Sequence, residues 1–124
     1  MKTYNFELLA RNIEKANEGI NRYACYGDCF QRTGVYSTDK AVVFYMYYGR
    51  NNRHYTIVIG QDVNFFRITA LRGIQNGIKS LEDCKGKDQY YSTIYGGDEY
   101  CHEQIMISII GHLEDDRFNV LMVG

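Results

Sequence analysis

The sequence contains no proline and no tryptophan, and no apolar run in it is long enough for a membrane-spanning helix. No linker, internal repeat or low-complexity segment interrupts it, so residues 1–124 are expected to form a single domain. A chain of that length buries roughly two-thirds of its unfolded surface and folds without disulfides. No basic, apolar and small-residue leader follows Met1, which leads us to expect a cytoplasmic protein with no membrane partner. With 45% hydrophobic and 23% charged residues, the composition excludes a disordered chain.

Catalytic and metal-binding signatures are missing as well. His102-Glu103 resembles the start of a zinc-protease helix, but Met106 stands where the second histidine is required. Cys25 and Cys29 supply half of a zinc pattern, while Cys84 and Cys101 lie far along the chain without a second short spacing. Free, mostly packed thiols are expected at all four, with no metal and no cofactor. Nothing places a thiol beside His54, His102 or His112, so a cysteine- or zinc-dependent enzyme ranks behind the binding functions below. Gly96-Gly97 precedes a helix, but Asp98 and Glu99 already bring negative charge to that end, which disfavours phosphate there.

What the chain does have is tyrosine, twelve of them. Codon bias in an AT-rich genome accounts for such a count, and so does a tyrosine-rich binding surface. The net charge of −1 conceals a segregation. Lys40, Arg50, Arg53, Arg67, Arg72 and Lys79 face Asp62 alone in the middle, whereas Asp88, Asp98, Glu99, Glu103, Glu114, Asp115 and Asp116 follow without a Lys or Arg among them.

The fold is organised around Ala41 to Ile68. Ala41 to Tyr48 is apolar or tyrosine throughout, which suits a strand covered on both faces or one that turns tyrosines outward. Gly49-Arg50-Asn51-Asn52-Arg53 reads as a hairpin turn. His54 to Ile59 alternates, with Tyr55, Ile57 and Ile59 on one face and His54, Thr56 and Val58 on the other. Gly60-Gln61-Asp62 is the second expected turn, and Val63 to Ile68 the next strand. Turns this short make the strands antiparallel, because a parallel crossover needs a dozen or more residues.

Around this meander, Phe6, Leu9, Ile13, Ala16 and Ile20 mark an N-terminal helix with Thr3 as its cap. Residues 21–29 read as a loop, and Phe30 to Ser37 as a strand with a bulge or turn at Gly34 before the turn Ser37 to Lys40. Leu71, Ile74, Ile78 and Leu81 suggest a short helix, although Asn76-Gly77 is a hairpin signal in the same stretch. Tyr90 to Tyr95 is strand-like, Asp98 to Glu114 is a helix, and Phe118 to Val123 is a last strand. The class is therefore α+β, a mainly antiparallel sheet packed by an N-terminal and a C-terminal helix.

Two binding functions follow. The first is a small non-enzymatic protein that binds a host protein complex, of the kind phages and mobile elements use to inhibit a CRISPR effector or a restriction enzyme. Its expected contact residues are Tyr45, Tyr47, Arg50, Arg53 and Tyr55, with the acidic run Glu114, Asp115 and Asp116 standing in for phosphates. The second is a single-stranded nucleic-acid module in which Arg50, Arg53, Arg67 and Arg72 flank Tyr45, Tyr47, Tyr48, Tyr55 and Phe66. The RNA-recognition signature itself is not reproduced, and oligomeric state is left open.

Overall fold

The computed structural model describes residues 4–15, 30–49, 52–63, 65–95 and 104–113. Helix α1 spans Phe6–Lys15 and strand β1 Phe30–Ser37, followed by β2 (Ala41–Tyr48), β3 (Arg53–Asp62), β4 (Phe65–Arg72) and β5 (Gln89–Tyr95). A second helix, α2, is described over residues 104–113. The five strands form one sheet in the order β1-β2-β3-β4-β5, and every neighbouring pair is antiparallel. This is the expected α+β meander with a helix at either end of the chain.

Helix α1 starts one residue after Asn5, whose Oδ1 accepts the Leu8 N–H at 3.0 Å and so satisfies one of the unpaired donors of the first turn. Asn5 is thus the cap; Thr3 and residues 16–20 of the expected helix lie outside the described residues. Phe6, Leu9, Ala10 and Ile13 are buried, which is the stripe that three-to-four-residue spacing dictates. They join Ile105, Met106, Ile109, Ile110 and Leu113 of α2 over one sheet face made of Val42, Phe44, Met46, Tyr48, Tyr55, Ile57, Ile59, Phe66, Ile68 and Ala70. Both helices therefore cover the same face.

On β1 the pairing with β2 shifts between Thr33 and Val35, and Gly34 sits at φ 57°. The bulge expected at Gly34 is there, and a side chain would meet the Tyr45 ring at 3.3 Å. Beside it Arg32 points inward, 7% exposed, with Nη2 on the Glu14 carbonyl at 3.4 Å. Burial lowers its pKa, and Glu14 opposes that shift.

The second turn falls later than expected. β3 runs through Gly60 to Asp62 and the chain reverses between Asp62 and Phe65, with Val63 at φ 56°. Gly60 is in the strand for a packing reason, because a Cβ there would lie 2.6 Å from Leu81 Cγ.

The expected helix over Leu71, Ile74, Ile78 and Leu81 is corrected. Leu71 belongs to β4, residues 73–80 form an irregular segment with Gly73 and Gly77 at φ 77° and 81°, and only Leu81–Cys84 makes a short 3-10 turn. Its apolar residues do not share a stripe: Leu71 and Ile78 are buried and Leu81 packs beside them, while Ile74 is 48% exposed. Residues 73–88 instead fold back as a strap across one half of the second sheet face, burying Ala41, Val43, Val58, Leu71, Ile78 and Cys84. The loop at 21–29, the helix start at Asp98 and the strand at 118–123 lie outside the described residues.

A candidate binding face

The strap is held by polar pins. Thr56 Oγ1 donates to the Gly73 carbonyl and accepts from the Gln75 N–H, both at 2.8 Å. Tyr36 Oη donates to the Ile78 carbonyl at 2.7 Å, and Thr38 Oγ1 to that of Lys79 at 2.6 Å. Burial and the neighbouring Tyr45 raise the Tyr36 pKa, so its hydroxyl remains a donor.

Where the strap stops, the second face is open. The register places Gln31, Tyr47 and His54 in one row across β1, β2 and β3, and Thr33, Tyr45 and Thr56 in the next. Residues paired in this way share a face, so both rows point away from the helices. Gln31, Thr33 and His54 are exposed, Tyr45 and Tyr47 half-buried. The Tyr47 and His54 rings lie 4.7 Å apart at 33°, and Tyr47 Oη donates to Asn52 Oδ1 at 3.0 Å. Asn52 adopts φ 55° in the turn, a conformation asparagine tolerates, which holds its amide beside Tyr47. The result is a small amphipathic patch on a rigid sheet, suited to contact with another surface.

The expected site residues divide. Tyr45 and Tyr47 stand on the open half, whereas Arg53 pairs with Tyr48 and so belongs to the helix-side face, beside a cleft of about 360 Å³ shared with His54, Tyr55, Arg72 and Gly73. Tyr55 is corrected: it is 1% exposed on the helix side, with Ile57 and Ile59, and offers no surface to a partner. Arg50, Glu114, Asp115 and Asp116 lie outside the described residues. His54, Gln31, Thr33 and Asn52 were not among the expected residues; the turn expected over Gly49 to Arg53 ends one residue earlier, because Arg53 is already in β3 and pairs with Tyr48, which sets Tyr47 opposite His54.

The aromatic platform expected for nucleic acid is not assembled. Tyr45 and Tyr47 face outward, while Tyr48, Tyr55 and Phe66 are in the core under the helices. Two of its arginines hold carboxylates: Arg67 Nε bonds Asp62 at 2.6 Å, and Arg72 Nη1 bonds Asp88 at 2.9 Å with its guanidinium 5.1 Å from the Tyr90 ring centre. Of the four cysteines, Cys84 is described, and it is buried under the strap. Burial, with Asp83 adding to it, pushes its thiol up to about 11, which leaves almost no thiolate at neutral pH. Among the described residues no three His, Cys, Asp or Glu side chains converge as metal ligands, and no helix is long and apolar enough to cross a membrane. Comparison with protein-family models, curated proteins and solved structures finds no match.

Proposed function

We propose that this chain is a non-enzymatic binding protein that engages a protein partner through the open half of its sheet, with Gln31, Thr33, Tyr45, Tyr47 and His54 as the contact. The observation that carries this reading is the Tyr47–His54 ring pair held in an exposed row by Asn52. Aromatic groups fixed by neighbours lose little entropy on contact, and tyrosine is among the residues most enriched in interface hot spots. A protein is favoured over single-stranded nucleic acid because Arg67 and Arg72 are engaged by Asp62 and Asp88 and only part of the aromatic set faces outward. Within this reading, the partner we propose is a host nucleic-acid-directed defence complex, a CRISPR effector or restriction enzyme, inhibited by a phage or mobile-element protein. Small size, tyrosine content and the acidic run at 114–116 support that target.

The test is affinity capture from host lysates with the wild-type chain and with a Tyr47→Ala, His54→Ala double variant, each with and without nuclease. A complex recovered by the wild type in both nuclease arms, and reduced at least about tenfold by the double variant, is the expected result. Equal capture by the double variant removes the interface from this face. Recovery that vanishes with nuclease, together with oligonucleotide binding that falls steeply with salt, replaces the reading with the nucleic-acid one.

A further inference from the structure

Among the described residues, Asn52 and Val63 are the two that are not glycine and yet have positive φ, 55° and 56°. Asparagine tolerates that conformation, whereas a β-branched side chain is crowded against its own backbone there. Val63 is the first of the two residues that join β3 to β4, because Asp62 and Phe65 still pair. Both favoured two-residue hairpin turns require a positive φ at that place, which glycine, asparagine or aspartate supplies with little strain. The surroundings hold the turn: Gln61 Nε2 donates to the Val63 carbonyl at 2.8 Å, and Arg67 Nε bonds Asp62 beside it at 2.6 Å. Burial does not offset the strain, since Val63 is 64% exposed and Phe65, the other large apolar residue of the tip, 48%. Within one copy, a valine at this place weakens the hairpin and adds little packing.

Val63 also forms one wall of a cleft of about 350 Å³ at this end of the sheet. The start of α1 brings Phe6 to that cleft, the turn between β1 and β2 brings Asp39 and Lys40, and the strap brings Leu81 and Glu82. An apolar tip therefore stands directly beside a hollow with apolar walls. The charges around both are balanced: Lys85 lies 3.1 Å from Glu82, Arg67 holds Asp62, and Asp39 and Lys40 are adjacent in sequence. A near-neutral surface of this kind exerts little pull on nucleic acid or on a strongly charged protein. It is complementary to itself, because a two-fold axis close to Val63 sets each tip over the other copy's cleft.

We propose that the tip between β3 and β4 is the contact between two copies of this chain, with Val63 and Phe65 of each copy seated against the Phe6 and Leu81 walls of the other's cleft. This contact does not depend on the partner proposed above. His54 is near the start of β3 and Val63 follows its end, roughly 30 Å away at about 3.3 Å per strand residue. The Tyr47–His54 rows of both copies thus stay open, and a target with repeated sites is held at two points.

Sedimentation of the purified chain across the micromolar range tests this, comparing wild type with Val63→Asn, which suits the positive φ and removes the apolar side chain. The expected result is a monomer–dimer equilibrium weakened at least about tenfold in the variant, while its thermal midpoint at monomeric dilution rises by a few degrees. A residue kept for the stability of one copy would give the opposite shift. In a mixture of isotope-labelled and unlabelled wild type, filtered nuclear Overhauser effects should link the Val63 methyl groups of one copy to Phe6 or Leu81 of the other; this measurement needs no variant. A monomer throughout the range overturns the proposal, as does a dimer that Val63→Asn leaves unchanged, a dimer without these contacts between copies, or a variant whose midpoint falls.

Discussion

At Gly60 a single missing methyl group decides where a strand and a strap meet. The Leu81 side chain occupies the space a Cβ would need, 2.6 Å from Cγ, where it packs against the buried cluster under the strap. Gly60→Ala is expected to destabilise the fold by about 1–3 kcal/mol through overpacking, measured by denaturant unfolding. The paired change Gly60→Ala with Leu81→Ala should recover part of that loss by vacating the same space. Cys84, 2% exposed beneath the strap, carries a pH dependence of definite sign. Its folded pKa is raised from 9.0 to about 11, so between those values the unfolded chain has lost a proton that the folded chain keeps. Stability then falls as pH rises through that window and is unaffected by this group below it. The difference between wild type and Cys84→Ala in unfolding free energy, followed from pH 8 to 11, should reproduce that slope, and native Cys84 should resist alkylation at pH 8.

Among the elements, the strap is the one that the sheet does not strictly need. β4 and β5 are antiparallel neighbours that a turn of two to five residues could join, yet sixteen residues, 73–88, connect them. Their length is used to cover Val43, Val58 and Leu71, which would otherwise leave apolar strand surface in water. Thr56 is the innermost pin, with one hydroxyl serving both the Gly73 carbonyl and the Gln75 N–H. Thr56→Val keeps the shape and removes both bonds, leaving two backbone groups unpaired in a part-buried site. The expected cost is about 2 kcal/mol, together with faster amide exchange at Gln75 and little change in the centre of β3. Equal acceleration across both would mean that strap and sheet open as one unit.

For the whole molecule, the two faces of the sheet separate stability from binding. The helix side holds most of the large buried side chains, and half of the other side is sealed by the strap, so the open rows around Tyr47 contribute little to the core. The double variant at Tyr47 and His54 should therefore shift the melting temperature by only a few degrees while it abolishes partner capture. A collapse of the melting temperature would instead make those rings structural. The charge segregation along the sequence is bridged in the fold at one point: Asp88, first of the acidic stretch, precedes β5 where Arg72 ends β4, while Arg67 pairs with Asp62 inside the basic stretch, across the β3–β4 turn.

Much of this was already in the sequence, for a reason of period. The alternation from His54 to Ile59, the short turns and the spacing of Phe6, Leu9 and Ile13 determine the meander and the buried stripe of α1, because side-chain direction repeats every two residues in a strand and every 3.6 in a helix. The same alternation already grouped Tyr55 with Ile57 and Ile59, so its place in the core followed from local geometry alone. Tertiary structure decided what periodicity cannot carry. That Gly60 is a close approach and not a turn, that residues 73–88 are a strap and not a helix, and that only one half of the second face stays open all depend on partners far along the chain. Leu81 against Gly60, Tyr36 on Ile78 and Thr38 on Lys79 are contacts of that kind. Local spacing encodes which way a side chain points, but the surface it meets there is made by another part of the chain.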